Sequence, residues 1–305
     1  MAEALPALQS SCQAGLSGEK GWKTLCDTLT SLPFWTSNDI RAMLEEKLQP
    51  YAVNRGEKGT FTGYYIPKLT ASPVKTAKFT APLYGVPADM VRKNGKTGTM
   101  RGGSFKPYPT RAEIERNGID APVLAWLENK ADVFVVHVQG SCVLTFPDGS
   151  EHLFGYAADN GRPFVGIGNI MLKRKALGKK GMSMKNIRDW LVKNGEKADE
   201  IMNQNPRYVF FKKGEGVNAV GALGVPLTQK RSLAVDPSYI PLGSFLWLET
   251  RNPDFNRLMT AQDTGGAIKG AVRGDFFFGT GDEAFDAAAG MKASGTYFLL
   301  MPKKP

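Results

Sequence analysis

Three aspartates in the last third of the chain each close or follow a strand-like apolar run. They are Asp236 in RSLAVDPSYIPLG, Asp263 in TAQDTGG and Asp275 in RGDFFFG. A single acid beside Gly or Pro is commonly a turn former. Three together suggest more, because a barrel could bring its strand ends to a common rim. Asp275 has the most informative setting. Phe276, Phe277 and Phe278 follow it, and a low-dielectric wall of rings disfavours the charged carboxylate and raises its pKa. A carboxylic acid still neutral near pH 7 can donate a proton to a leaving oxygen. Lys269 and Arg273 act the other way, since a close cation would lower the same pKa; where the side chains point decides which effect wins. Glycines at 265, 266, 270, 274 and 279 allow unusual φ/ψ and let a bulky ligand approach the backbone.

Polysaccharide is the ligand that fits these residues best. Sugar rings stack on aromatic faces, and their hydroxyls need amide, hydroxyl and backbone partners. FTGYY (61–65) and VQGS (138–141) offer both kinds of group on strand ends. The competing reading puts Tyr64 and Tyr65 on opposite faces of one strand, as neighbours in core and surface.

Around these residues the pattern is mainly β. Residues 20–50 read as two helices, the second with Ile40, Met43, Leu44 and Leu48 at helical spacing and Ser37, Asn38 and Asp39 as caps. GTFTGYYIPKL (59–69) is a strand that Pro67 places at an edge, and 132–157 reads as a hairpin about Pro147-Asp148-Gly149. SMKNIRDWL (183–191) is a helix capped by Ser183. RYVFFKK, SLAVD, SFLWLE and LMTAQD are further strands. A short helix near 282–290 and the strand TYFLLMP close the chain. Many short strands, glycine-rich turns and few helices indicate β-barrel architecture.

The composition narrows the function. At 305 residues the chain suits one large domain or two ordinary ones, and no apolar run is long enough for a membrane-spanning helix. The opening MAEALPALQSSC lacks the basic and apolar regions of a signal peptide, so we expect either a cytosolic protein or a mature form with an added Met. A net charge of +10 favours polyanions, and the densest basic cluster is KRKALGKKGMSMK at 173–185. No aromatics alternate with those lysines and no nucleic-acid readout motif is present, so nucleic acid ranks last among partners. Only His137 and His152 occur, which argues against a His-based metal site. Cys12 and Cys26 would join as a disulfide in an oxidising compartment, the reading we take, and stay as thiols in a reducing one. Cys142, in a strand, reads as a small buried hydrophobe.

The order TGYY (62–65), APLYGVPAD (81–89), PYPTRAEIE (107–115), VQGS (138–141), NPRYVFF (205–211), RSLAVDPSYIPLG (231–243) and QDTGGAIKG…GDFFFG (262–279) resembles the lytic murein transglycosylase A family. The likeness runs from about residue 20 to the end. It implies a double-psi β-barrel domain, residues 1–70 plus 205–305, with a second, β-barrel-like domain, 71–204, inserted in it and a groove between the two for the glycan. It further implies Asp275 as catalytic acid, with Asp263, Asp236 and Lys269 in support. Thr62, Gly63, Tyr64, Tyr65, Gln139, Gly140 and Ser141 would contact substrate. Cys142 stands where Gly often follows QGS, and some members share a Cys12/Cys26-like pair.

The activity implied is cleavage of the bond between N-acetylmuramic acid and N-acetylglucosamine in peptidoglycan. One Asp acts as acid then base and leaves a 1,6-anhydro end, with no metal and no cofactor. The resemblance places a monomer in the Gram-negative periplasm, either soluble there or in peripheral or lipid-anchored association with the outer membrane. Two rivals share the barrel: an expansin-like wall binder without catalysis, and a hydrolytic glucanase needing a second carboxylate.

Overall fold

The computed structural model describes residues 1–18, 20–31, 36–178, 183–216, 218–251 and 255–303. Two units divide the chain: Met1–Tyr65, Asn218–Gly279 and Glu283–Pro305 form the first, and Ile66–Val217 with Thr280–Asp282 the second. The first division therefore falls five residues before the boundary expected at 70/71. The strand Val209–Lys213 lies in the second unit, because it pairs with Glu151–Asp159.

In the first unit six strands close into a ring. Lys292–Pro302 pairs with Phe245–Arg251, then come Asn256–Thr264, Ser232–Val235, Arg273–Thr280 and Gly59–Ile66, which pairs back onto Lys292–Pro302. Ser232–Val235 runs parallel to Asn256–Thr264. Alternation along each strand fills the interior with Phe61, Tyr65, Leu233, Leu246, Met259, Phe276, Phe278 and Tyr297. The last strand begins at Lys292, earlier than its apolar run suggested.

Helices Leu5–Gln13, Lys23–Ser31 and Ser37–Lys47 pack on Phe245 and Leu258 through Leu8, Leu25, Ile40 and Leu44. The cap of the third is Thr36, whose hydroxyl accepts from the Asp39 N–H while the Asp39 carboxylate accepts from the Thr36 N–H. Ser37, expected as a cap, is instead the first helical residue. Cys12 and Cys26 are disulfide-bonded and tie the first two helices together.

The second unit has a four-stranded sheet, Val209–Lys213, Glu151–Asp159, Ser141–Thr145 and Lys68–Thr70, and a pair, Ala81–Tyr84 with Val123–Leu127. Isolated bridges Ser72–Trp126 and Gly85–Phe211 carry this order round into a ring. The turn at 146–150 joins a true hairpin, Ser141–Thr145 with Glu151–Asp159. Residues 132–139, read as its first arm, belong instead to the helix Lys130–Gln139. That helix is buried nearly all round, so no polar face betrays its period. Its caps do: the Asn129 side chain accepts from the Asp132 N–H, and Gly140 ends it in the left-handed region. Ser183 caps Met184–Lys193 as expected, and Cys142 is buried. Of the basic cluster at 173–185, residues 179–182 lie outside the described residues. Among those described, no helix is long and apolar enough to cross a membrane.

Candidate active site

The pleat of Arg273–Thr280 decides what surrounds Asp275. Phe276 and Phe278 point into the barrel, their rings 4.7 Å apart, while Asp275 and Phe277 face outward. The wall of three rings expected beside the acid is therefore one ring on its own face and two behind the strand. Tyr64 packs against Phe277 with centroids 5.2 Å apart. On the neighbouring strand the same parity sorts the TGYY run. Thr62 and Tyr64 share the aspartate face. Tyr65 packs into the core against Phe285, and Gly63 has no room for a side chain. A Cβ there would lie 2.5 Å from the Phe278 ring and 2.9 Å from the Ala288 Cα. Gly63 and Tyr65, expected to contact substrate, are thus packing residues.

Thr62 Oγ1 donates to Asp275 Oδ1 at 2.6 Å, and Arg273 Nη2 donates to Thr62 Oγ1 at 2.9 Å. With its lone pair engaged by the guanidinium, the hydroxyl is oriented toward the carboxylate. Asp275 Oδ2 has no hydrogen-bond partner among the described residues. Burial pushes the Asp275 pKa up from 3.8 to about 6, against the Thr62 hydrogen bond and the Arg273 charge, with Asp263 adding a smaller upward push. The contest between burial and cation goes to burial. Lys269 takes no part, since it pairs with Asp236 at 3.9 Å.

Register brings the other acids into line. Ala234 is the cross-strand partner of Asp263 on one side and of Asp275 on the other. The two acids therefore stand two strand spacings apart, about 9.6 Å at Cα. Asp263 accepts from the Tyr64 hydroxyl (2.8 Å) and from the Ala222 N–H (3.0 Å), and burial raises its pKa. Asp236 differs in kind. The N–H groups of Gly270 (2.9 Å) and Ser238 (3.1 Å) donate to it, with Lys269 nearby, so its pKa is lowered and it is held ionised. Gly270 sits at φ 111°, a conformation that suits glycine, so Asp236 fastens the loop between the two aspartate strands.

Gln139, Gly140 and Ser141 lie in the second unit at the junction of a helix and a strand: last helical residue, left-handed cap and first strand residue. Two contributors escaped the sequence reading. Arg273, weighed only as a counter-charge, orients Thr62. The turn around Ala222 supplies the N–H to Asp263; its Gly221, Gly224 and Pro226 were the available signal. Among the described residues no group of three or more His, Cys, Asp or Glu side chains could hold a metal ion.

The MltA specific insert domain matches residues 60–212 and the 3D domain residues 231–301. The membrane-bound lytic murein transglycosylase A of Escherichia coli K12 is 36% identical over 252 residues, which are 79% of this chain and 65% of that protein. The matched stretch thus spans just under two thirds of that relative's length. A crystal structure of MltA from Neisseria gonorrhoeae is 34% identical with a TM-score of 0.87, covering 100% of this chain and 89% of the other. E. coli MltA with bound chitohexaose is 29% identical with a TM-score of 0.77, covering 99% and 89%. A partly buried acid on a closed barrel, two domain matches in series and structural likeness along the whole chain converge, and the chain belongs to the membrane-bound lytic murein transglycosylase A family.

Proposed function

We propose that this protein is a lytic transglycosylase. It cleaves the β-1,4 bond between N-acetylmuramic acid and N-acetylglucosamine in peptidoglycan and leaves a 1,6-anhydromuramoyl end. One observation carries the reading: Thr62 holds Asp275 Oδ1 and leaves Oδ2 for substrate, on a carboxyl that burial pushes up to about 6. About a tenth of such carboxyls keep their proton at pH 7, against roughly one in a thousand at the ordinary value.

Asp275 Oδ2 gives its proton to the linking oxygen, which leaves with the bonding electron pair. Positive charge develops at C1 of the muramoyl residue. The ionised carboxylate, stabilised by the Thr62 hydroxyl and Arg273, then takes the proton of that sugar's C6 hydroxyl. O6 attacks C1 and closes the ring, so water is not a reactant and the acid is regenerated. Asp263 contributes negative potential to the same face, and Asp236 with Lys269 holds the adjoining loop. The chitohexaose in the E. coli relative supports a glycan ligand. Because Tyr64 and Ala222 occupy both Asp263 oxygens, that residue is a poor second base, which disfavours the hydrolytic alternative.

We read the barrel as double-psi, in keeping with the parallel pairing of Ser232–Val235 with Asn256–Thr264. We place the protein in the Gram-negative cell envelope, an oxidising setting that suits the Cys12–Cys26 disulfide. Digesting purified sacculi with the protein and analysing the fragments by mass spectrometry tests the activity. Anhydro ends that vanish with Asp275→Asn are expected. New reducing ends would indicate a hydrolase, and uncut strands that retain the protein a wall binder; either result would overturn the proposal.

A further inference from the structure

On the outer wall of the barrel lies a cavity of about 560 Å³ that the mechanism does not use. Lys58, Trp247, Glu249, Arg251, Asn256 and Thr296 contribute to its lining. Leu246 and Leu248 fill the barrel interior, so the alternation of Phe245–Arg251 turns Trp247, Glu249 and Arg251 outward. In the six-strand ring this strand is three places from Arg273–Thr280 by either route, on the opposite side of the barrel from Asp275.

Cross-strand register builds the cavity floor. Glu249 stands between Asn256 and Thr296, and Arg251 faces Ser294. Trp247 packs at the edge of the helical layer while keeping part of its surface exposed, and its Nε1–H donates to Glu249 Oε1 at 3.1 Å. Just beyond that edge the Thr296 hydroxyl is shielded from solvent yet has no hydrogen-bond partner among the described residues. A shielded hydroxyl without a partner is costly, and a ligand hydroxyl would satisfy it. An indole, a carboxylate, an amide and hydroxyls in one hollow suit a sugar with many donors and acceptors. Lys58 and Arg251 against Glu249 leave an excess of positive charge for acidic substituents.

We infer that this cavity is a second, non-catalytic site for an amino-sugar strand bearing carboxylates. The sugar packs on Trp247, its hydroxyls meet Glu249 and Thr296, and its acidic groups meet Lys58 and Arg251. Only the naming of the natural polymer as peptidoglycan rests on the proposed function. Placed across the barrel from Asp275, the site would hold the protein on the wall independently of catalysis.

The test follows the indole N–H signals of the Asp275→Asn protein by NMR, with Trp247→Phe assigning the Trp247 signal. The added ligands are chitohexaose and soluble peptidoglycan strands. We expect the Trp247 signal to shift saturably with the peptidoglycan strands. Glu249→Gln with Thr296→Val should weaken that binding about tenfold, the equivalent of ~1.4 kcal/mol. With Asp275 intact the same pair should reduce retention on sacculi and leave turnover of short soluble murein fragments unchanged. A Trp247 signal unmoved by both ligands, or a shift that persists undiminished in the folded double variant, would overturn the inference. Anhydro products play no part in the NMR readout, so failure of the proposed activity and failure of this site are distinguishable.

Discussion

Replacing Asp275 with Asn should remove the proposed proton donor and at the same time make the folded protein more stable at pH 7. The acid's pKa rises from 3.8 to about 6 on folding, and at ~1.36 kcal/mol per pH unit that gap corresponds to about 3 kcal/mol. The folded state binds this proton more tightly than the unfolded chain. Its contribution is therefore most favourable below pH ~4, declines between ~4 and ~6, and is flat above. Asparagine has nearly the shape of the neutral acid and still accepts from Thr62, but it cannot ionise. The variant should match the parent near pH 3.5 and exceed it by up to about 3 kcal/mol at pH 7. Urea unfolding followed by tryptophan fluorescence at pH 3.5, 5, 6 and 7 reads the difference. A gap that stays constant with pH, or a variant less stable than the parent at pH 7, would refute the claim that burial governs this carboxyl.

Turnover of sacculi should fall about tenfold per pH unit on the alkaline side of pH ~6, as the donor loses its proton. Thr62→Val and Arg273→Gln each remove an influence that lowers the Asp275 pKa. Both should therefore move that limb of the kcat/KM profile to higher pH, and a move to lower pH would contradict the assignment. Gly63→Ala should destabilise the first unit by about 1–3 kcal/mol, because its methyl meets the Phe278 ring, while the pH limb stays in place.

The architecture was more legible than the orientation of its residues. Apolar runs bounded by Gly and Pro marked the barrel strands, and the three aspartates stood out because each falls at or near a strand end. What a single strand does not declare is which of its two faces lies outward. That ambiguity put Gly63 and Tyr65 beside Thr62 and Tyr64, and all three phenylalanines beside Asp275. Only the closed ring, with Phe61, Phe276 and Phe278 packed inside, fixes the parity. Lys130–Gln139 was misread for a related reason, since burial on every side erases the polar stripe that distinguishes helix from strand. The helix Leu5–Gln13 escaped notice altogether, although Pro6 stands in its first turn, where proline is well tolerated. Much of what holds it comes from 250 residues away. Fully buried Gln262 donates to Ala7 O, Ser10 and Ser11 and accepts from Ser232, pairings that no local pattern discloses.

Gln262 and Asp263 are consecutive, and the register shift between Leu233 and Ala234 breaks the strand's alternation there, so one strand presents an amide network to the helices and an acid to the site. An unfavourably buried carboxylate in this unit has to be offset by stability from elsewhere in it. The Cys12–Cys26 link, closing a sequence separation of 14, is worth about 3 kcal/mol in the loop-entropy account, close to what ionised Asp275 costs. Among the described residues the disulfide and the Asp275 carboxyl share no hydrogen-bond partner, so their effects should add. Cys12→Ser with Cys26→Ser should lower the unfolding midpoint of the first unit, and adding Asp275→Asn should restore most of the loss at pH 7 but none of it at pH 3.5. Equal restoration at both pH values would mean that the asparagine acts through packing rather than through the lost charge. The proposed balance between disulfide and catalytic acid would then fail, even if the disulfide itself proved stabilising.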